Sequence, residues 1–277
     1  MQTEIVAAAR LIHQADALLI TAGAGMGVDS GLPDFRGSSG FWQAYPALGR
    51  AGIPFQSIAN PAAFHDHPRL AWGFYGHRLD LYRRTRPHRG FALLQAWAAR
   101  LPGGAFVVTS NVDGQFQKAG CDANEILEIH GSIHQLQCAA PCCARLWPAA
   151  PLEPRIDPEH CHWLGELPSC PHCGGLARPN ILMFGDGDWV AQRQEAQRRN
   201  WDSWLAAARR PLIIECGAGI DVPSIRHLGE SLPWPLLRIN PREPALPAGK
   251  AGLGLALGAL AALEQLDQAL ERLYRED

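Results

Sequence analysis

The chain has 277 residues, enough for one large domain or a domain with an inserted lobe, and 47% of them are hydrophobic, enough for a sizeable core. A net charge of −2 leaves no electrostatic footprint for nucleic acid. Glu4 and Arg10 interrupt any basic-then-apolar leader. No apolar run reaches the roughly 18 residues of a membrane span, so the expectation is a cytoplasmic protein without nucleic-acid or membrane partners.

Ile5, Ala8, Ala9, Leu11 and Ile12 recur at helical spacing and predict a helix over 4–15. Ala17-Leu18-Leu19-Ile20 then reads as a buried strand. It runs into Gly23-Ala24-Gly25-Met26-Gly27, where glycines let backbone N–H groups approach a phosphate. As a dinucleotide fingerprint this is incomplete, because the third glycine position holds Val28. Residues 41–90 are rich in aromatics, among them Phe41, Trp42, Phe64, Trp72, Phe74 and Tyr75, with prolines at 46, 54, 61 and 68. They predict short helices joined by turns. A helix over 91–99, a buried strand over 105–109 and a short strand over 126–129 follow. Residues 138–173 hold cysteines and prolines with little periodicity. Such a segment has too little apolar content to pack alone, and a metal would supply the missing constraint. A polar helix over about 189–208 precedes strands at 211–214 and 236–239. The run from Ala251 to Leu263 fits a buried strand leading into a helix over about 259–273, with Leu263, Leu266 and Leu270 on one face.

Strands alternating with helices imply an α/β fold built on a doubly wound parallel sheet. Loops after the strands then fall on one edge, where such sheets bind ligands. The aromatic and cysteine segments interrupt the alternation and read as two insertions forming one smaller lobe. Eight cysteines without a leader, four of them in paired spacing, favour metal binding in a reducing cytosol over disulfides. Cys138 and Cys142 with Cys170 and Cys173 suit a closed, structural tetrathiolate zinc site. Cys170-x-x-Cys173 before Gly174-Gly175 is a knuckle. The first half is C-x-x-x-C to Cys142, or one residue longer to Cys143; Pro141 bends the chain before Cys142, and Cys161 is an outside candidate. Cys121 and Cys216 read as small buried residues.

The string from Gly23 to Gly37, GAGMGVDSGLPDFRG, resembles the signature of the sirtuins, the NAD-dependent protein deacylases. Ser110-Asn111-Val112-Asp113, Glu128-Ile129-His130-Gly131-Ser132 and the cysteine pattern agree with that family in the same order. The resemblance covers nearly the whole chain. It implies a single catalytic domain over 1–277, with a Rossmann-like part at about 1–40, 91–135 and 182–277. The helical insertion is then about 41–90 and the zinc module about 136–181.

By this resemblance NAD is the co-substrate, bound by Ala22, Gly23, Ala24, Gly25, Asp29, Asp34, Phe35 and Arg36. Phe35 would shield the reacting anomeric carbon and Arg36 would meet the phosphates. Asn111 would hold the nicotinamide ribose and a water, Asp113 the carboxamide, and His130 would be the catalytic base. Ser110 and Val112 complete that loop; the family has glutamine where Ser110 stands. Gly217-Ala218-Gly219 occupies the place of the family's Gly-Thr-Ser and lacks both hydroxyls, while Asn240 matches an adenosine-ribose contact. Phe184 and Gly185 of Phe184-Gly185-Asp186 match a segment that pairs with the acyl-lysine peptide. Tyr75-x-x-Arg78 resembles the pair in sirtuins that remove succinyl and malonyl groups. On a helix the two share a face, and a guanidinium grips a carboxylate with two hydrogen bonds. The other reading is Tyr75 packed in the lobe and Arg78 solvated. Ser110 and the missing hydroxyls also leave open a mono-ADP-ribosyltransferase or NAD hydrolase on the same scaffold, and a non-catalytic NAD-sensing module is the second alternative.

Overall fold

The computed structural model describes residues 2–34 and 37–276, with backbone alone for 37–39. In chain order the strands are β1 (Ala17–Ala22), β2 (Ala105–Thr109), β3 (Ile126–Glu128), β4 (Gly131–Cys138), β5 (Trp147–Pro148), β6 (Ile156–Asp157), β7 (His162–Trp163), β8 (Ala177–Ile181), β9 (Pro211–Cys216), β10 (Leu236–Ile239) and β11 (Gly252–Leu255). Six of them form a sheet in the order β11-β10-β9-β1-β2-β3, parallel throughout. This is the doubly wound sheet expected from the alternation of elements.

Alternation along each strand builds two cores. Leu18, Ile20 and Ala22 of β1 share one cluster with Ile214 and Leu237. Against it lie Ile5 and Ile12 from the helix Gln2–Gln14, Phe91 and Trp97 from the helix Arg89–Ala98, and Leu263 and Leu266 from the helix Ala259–Glu276. Leu19, Phe106, Val108 and Ile213 point the other way, toward Trp201 of the helix Gln192–Ala207 and Ile225 of the helix Ser224–Ser231. Side-chain period two on the strands thus covers both faces of the sheet. Among the described residues no helix is long and apolar enough to cross a membrane.

The helical segment and the cysteine segment share a third core. Phe41, Tyr45, Phe64, Trp72, Phe74 and Tyr75 pack with Ile133, Leu136, Trp163 and Ile181. Trp72 donates its indole N–H to the Ala177 carbonyl at 2.8 Å, joining the helix Pro68–Arg84 to β8. β4 lies between β5 and β8 in an antiparallel sheet. The sequence hides β4, because Ser132, Gln135 and Gln137 break its apolar rhythm; Gln137 is buried all the same, and its amide is bonded. Pro179 is tolerated because β8 is an edge strand. The polar helix expected from about 189 begins at Gln192. Side chains of Gln137 and Asn180 hold Asp188 and Val190 in an irregular path until then.

Candidate active site and metal centre

The sheet grows in both directions from β1, with β2 and β3 on one side and β9, β10 and β11 on the other. Loops leaving β1 and β9 therefore part company, and such a switch point opens a ligand crevice. The two loops touch through their backbones. Gly23 N–H donates to the Cys216 carbonyl and Gly25 N–H to the Gly217 carbonyl, both at 3.0 Å. Gly217 has φ 63°, and a Cβ there would lie 2.3 Å from the Gly25 carbonyl carbon. A Cβ on Gly23 would meet Ala218 at 2.8 Å. These glycines thus first allow loop to meet loop.

Ala22 ends β1 fully buried, and Ala24 opens a 3-10 turn that runs to Ser30. Asp29 accepts the Leu260 N–H at 2.8 Å and caps the last helix, a structural task the sequence did not reveal. Asp34 is half-buried, and Phe35 and Arg36 lie outside the described residues. Among the described residues, its chain neighbours aside, no atom lies within 4 Å of where a Gly219 Cβ would sit, so its backbone has open space there for a ligand. Asn240 is wholly buried. Its amide donates to the Ala218 carbonyl at 2.9 Å, and its oxygen accepts from Arg242 and Glu243 N–H at 3.0 Å. It clamps the Gly217–Gly219 loop from beneath.

The β2 loop closes the other side of the crevice. Ser110 N–H donates to the Ala22 carbonyl at 3.1 Å, and the Asn111 amide donates to the Gly23 carbonyl at 2.9 Å. Val112 is buried and its carbonyl accepts the Ile133 N–H. His130 follows β3. Burial holds its ring below the ordinary value near 6.5, with a hydrogen bond to the Ser110 carbonyl opposing that shift. Gly131, at φ 76°, lies so close to β8 that a Cβ would sit 2.1 Å from the Asn180 carbonyl oxygen. That close approach is the physical reason for a His-Gly pair here. Ser110, Asn111 and His130 are thereby gathered around the end of β1.

Asp113 is buried, and its carboxylate accepts the Gln115 N–H at 2.9 Å. Burial pushes its carboxyl from near 3.8 up to about 6; the Gln115 bond opposes this and the Glu128 charge adds to it. Glu128 is itself buried and paired with Arg193 and Gln197, partners that no sequence pattern marked. A carboxyl whose folded value lies above its unfolded value favours the protonated chain. Stability is then lost as pH rises from about 4 to about 6, and the full cost persists above that. Asp113→Asn keeps the acceptor for Gln115. It is expected to stabilise the fold by on the order of 2 kcal/mol at pH 7.5 and by almost nothing at pH 4. Thermal melts at the two pH values check this; an equal gain at both would refute the burial argument.

Tyr75 and Arg78, expected to meet the acyl group, sit on the helix Pro68–Arg84 in the lobe. Tyr75 is 1% exposed and stacks on Phe64 at 5.5 Å. Arg78 is 8% exposed rather than solvated, with its guanidinium 5.2–5.8 Å from the rings of Phe74, Tyr75 and Tyr82. Its Nε and Nη2 donate to Tyr82 Oη at 2.9 and 2.7 Å. Tyr82 stands four residues beyond Arg78, a spacing visible in the sequence though its partnership was not read there. Phe184 is exposed, donates its N–H to the Ala59 carbonyl at 3.0 Å and meets Phe55 edge-on; Gly185 turns the chain at φ 66°.

Sγ atoms of Cys138, Cys142, Cys170 and Cys173 all lie within 4.8 Å of one another. Cys138 and Cys173 are 3.6 Å apart, and Cys142 and Cys170 3.8 Å. Zinc–sulfur bonds of about 2.3 Å in a tetrahedron give sulfur–sulfur edges of about 3.8 Å, so the set fits zinc. The structure selects Cys142 over Cys143, whose sulfur lies outside the four although 3.8 Å from Cys142. Cys161 packs in the lobe core and Cys216 in the main core; Cys121 is half-buried.

The sequence pattern of the Sir2 family matches residues 23–203. The "NAD-dependent protein deacylase 1" of Pseudomonas aeruginosa is 33% identical over 258 residues, covering 88% of this chain and 94% of that protein. The "NAD-dependent protein deacylase sirtuin-5, mitochondrial" of Canis lupus familiaris is 31% identical over 192 residues, 64% of this chain and 58% of that one. The solved structure of a Sir2 homologue–NAD complex superposes with a TM-score of 0.70 at 23% identity, covering 96% of this chain and 93% of that one.

Proposed function

This chain belongs to the Sir2 family, and we propose that it is an NAD-dependent protein-lysine deacylase that turns acyl-lysine, NAD and water into lysine, nicotinamide and O-acyl-ADP-ribose. The observation that carries the reading is the meeting of His130, Ser110 and Asn111 with the Gly23 turn at the switch point of the sheet. NAD supplies an electrophilic anomeric carbon and a leaving group. Backbone of Ala22, Gly23, Ala24, Gly25 and the Gly217–Gly219 loop receives the dinucleotide. Asn111 and Asp113 orient its nicotinamide end, and His130 takes a proton from a ribose hydroxyl. Phe184 and Gly185 offer backbone to an extended peptide, an edge-pairing mode common to peptide binders. The four cysteines hold zinc with no open position, so the metal serves the fold.

Incubation with NAD, with and without acyl-lysine peptide, tests the reading by nicotinamide release. Release that depends on peptide supports it. Release without peptide indicates an NAD hydrolase, and label retained on protein indicates an ADP-ribosyltransferase.

We also propose that Tyr75 and Arg78 select acidic acyl groups. Arg78 carries its charge among buried rings, where a carboxylate attracts it more strongly than in water. Tyr82 fixes the plane of the guanidinium. Succinyl- or malonyl-lysine peptides are expected to exceed acetyl-lysine in kcat/KM by about tenfold or more, the size of one charge-assisted contact. Arg78→Met should reverse the order, mainly through KM of the acidic substrates. A wild type that prefers acetyl-lysine would refute this selection.

A further inference from the structure

Residues 182–191 join β8 to the helix Gln192–Ala207 and contain no regular secondary structure. Two backbone bonds tie them to neighbouring segments: Leu182 N–H to the His130 carbonyl at 2.9 Å and Phe184 N–H to the Ala59 carbonyl at 3.0 Å. Buried side chains carry much of the remainder. Asp186 accepts the N–H groups of Met183 and Asp188, both at 3.2 Å, so its carboxylate closes the turn that presents Phe184 and Gly185. Gln137 accepts the Val190 N–H at 3.1 Å and donates to the Asp188 carbonyl at 2.8 Å. Asn180 donates to the Val190 carbonyl at 2.9 Å and to Gln137, also at 2.9 Å.

The Asp186 carboxylate is fully enclosed, and so is the Arg178 side chain that meets it with two bonds of 2.8 Å. A buried ion pair is weak support for stability, since taking both charges out of water offsets their attraction. What this pair does supply is a fixed direction. Arg178 sits on β8, whose register with β4 is set, and its planar fork leaves Asp186 one orientation. We propose that Arg178 and Asp186, with Gln137 and Asn180, are positioning residues for the acyl-peptide: they hold the Phe184–Gly185 backbone in the conformation that pairs with it. The inference rests on the deacylase reading above. It adds why the segment holds its shape without helix or strand, and why its two ends are fixed to β4 and β8 rather than to the main sheet.

The test compares Asp186→Asn, Asp186→Glu and Gln137→Met in the full chain. Peptide affinity is read by fluorescence anisotropy of a labelled acyl-lysine peptide, NAD affinity by its own titration, and folding by thermal melts. Asp186→Asn is expected to weaken peptide binding at least tenfold and raise peptide KM to match, with NAD affinity within twofold of wild type. Asp186→Glu keeps the charge and should restore peptide affinity to within threefold. Gln137→Met leaves the ion pair intact, and should weaken peptide binding about fivefold even where Asp186→Asn does not fold. Wild-type peptide affinity in folded Asp186→Asn or in Gln137→Met overturns this inference alone. Equal loss of peptide and NAD affinity also overturns it, since the pair would then serve the whole lobe. A wild type that binds no acyl-peptide overturns the deacylase reading, and this inference with it.

Discussion

His130→Ala is expected to lower peptide-dependent nicotinamide and product formation by a factor of about 10² to 10⁴, the usual worth of a general base, while NAD binding and the melting temperature stay near wild type. The argument starts from burial. It holds the ring below its ordinary value near 6.5, so the imidazole is neutral at pH 7. A neutral imidazole has one N–H and one bare nitrogen. The bare nitrogen is the proton acceptor that a general base needs. The side chain is half-buried, and the chain beyond it is held by backbone: Leu182 N–H reaches the His130 carbonyl whatever the side chain. Truncation therefore removes the base and spares the frame. Activity of the wild type should fall on acidification only below the ordinary histidine range, because the folded ring protonates late. Undiminished turnover by His130→Ala would exclude it as the base. Asn111→Ala should also be nearly inactive but with weakened NAD binding, since its amide holds the Gly23 carbonyl.

The sheet was legible because each strand of its centre is a short apolar run between helical stretches: Ala17–Ile20, Ala105–Thr109 and Pro211–Ile214 all lie inside observed strands. Positions of the site residues followed, since the loops at the ends of such strands share one edge. The purposes of several did not. Gly217 keeps the glycine of the family's Gly-Thr-Ser, and its positive φ and the closeness of Gly25 give it a packing reason that only long-range contact reveals. Asn240 and Asp29 carry bonds to residues distant in the sequence or two loops away, which no local pattern encodes. β4 was hidden because its polar side chains are satisfied by partners far along the chain, as when Gln137 meets Asn180. The cysteine ligands were legible from spacing as a set. The choice of Cys142 over Cys143, already favoured by Pro141, agrees with the cluster of four sulfurs.

Loss of zinc is expected to have the second large effect, on activity as well as on stability. The purified chain should carry about one zinc. Between Cys138 and Cys173 the strands are two residues long, so this stretch has little regular backbone to hold it. Structural zinc supplies on the order of 10 kcal/mol in small modules, and Cys170→Ser or Cys173→Ser should strip the metal and unfold the lobe near 37 °C. The reach of that loss follows from β4 and β8. β4 begins at Gly131, beside His130, and ends at Cys138. β8 begins four residues after Cys173 and ends at Ile181, whose neighbour Leu182 is bonded to His130. Each strand thus has the metal ligands at one end and the site at the other, about 15–25 Å apart at the usual strand rise. Zinc fastens the far ends of the two strands whose near ends carry His130 and the Phe184 segment. A chelator strong enough to remove it should therefore abolish peptide-dependent turnover, although the closed site takes no part in the chemistry. Cys143→Ser should keep its zinc, with a melting temperature close to wild type. Metal analysis of Cys142→Ser and Cys143→Ser decides the ligand: zinc retained by the first and lost by the second would reverse the assignment.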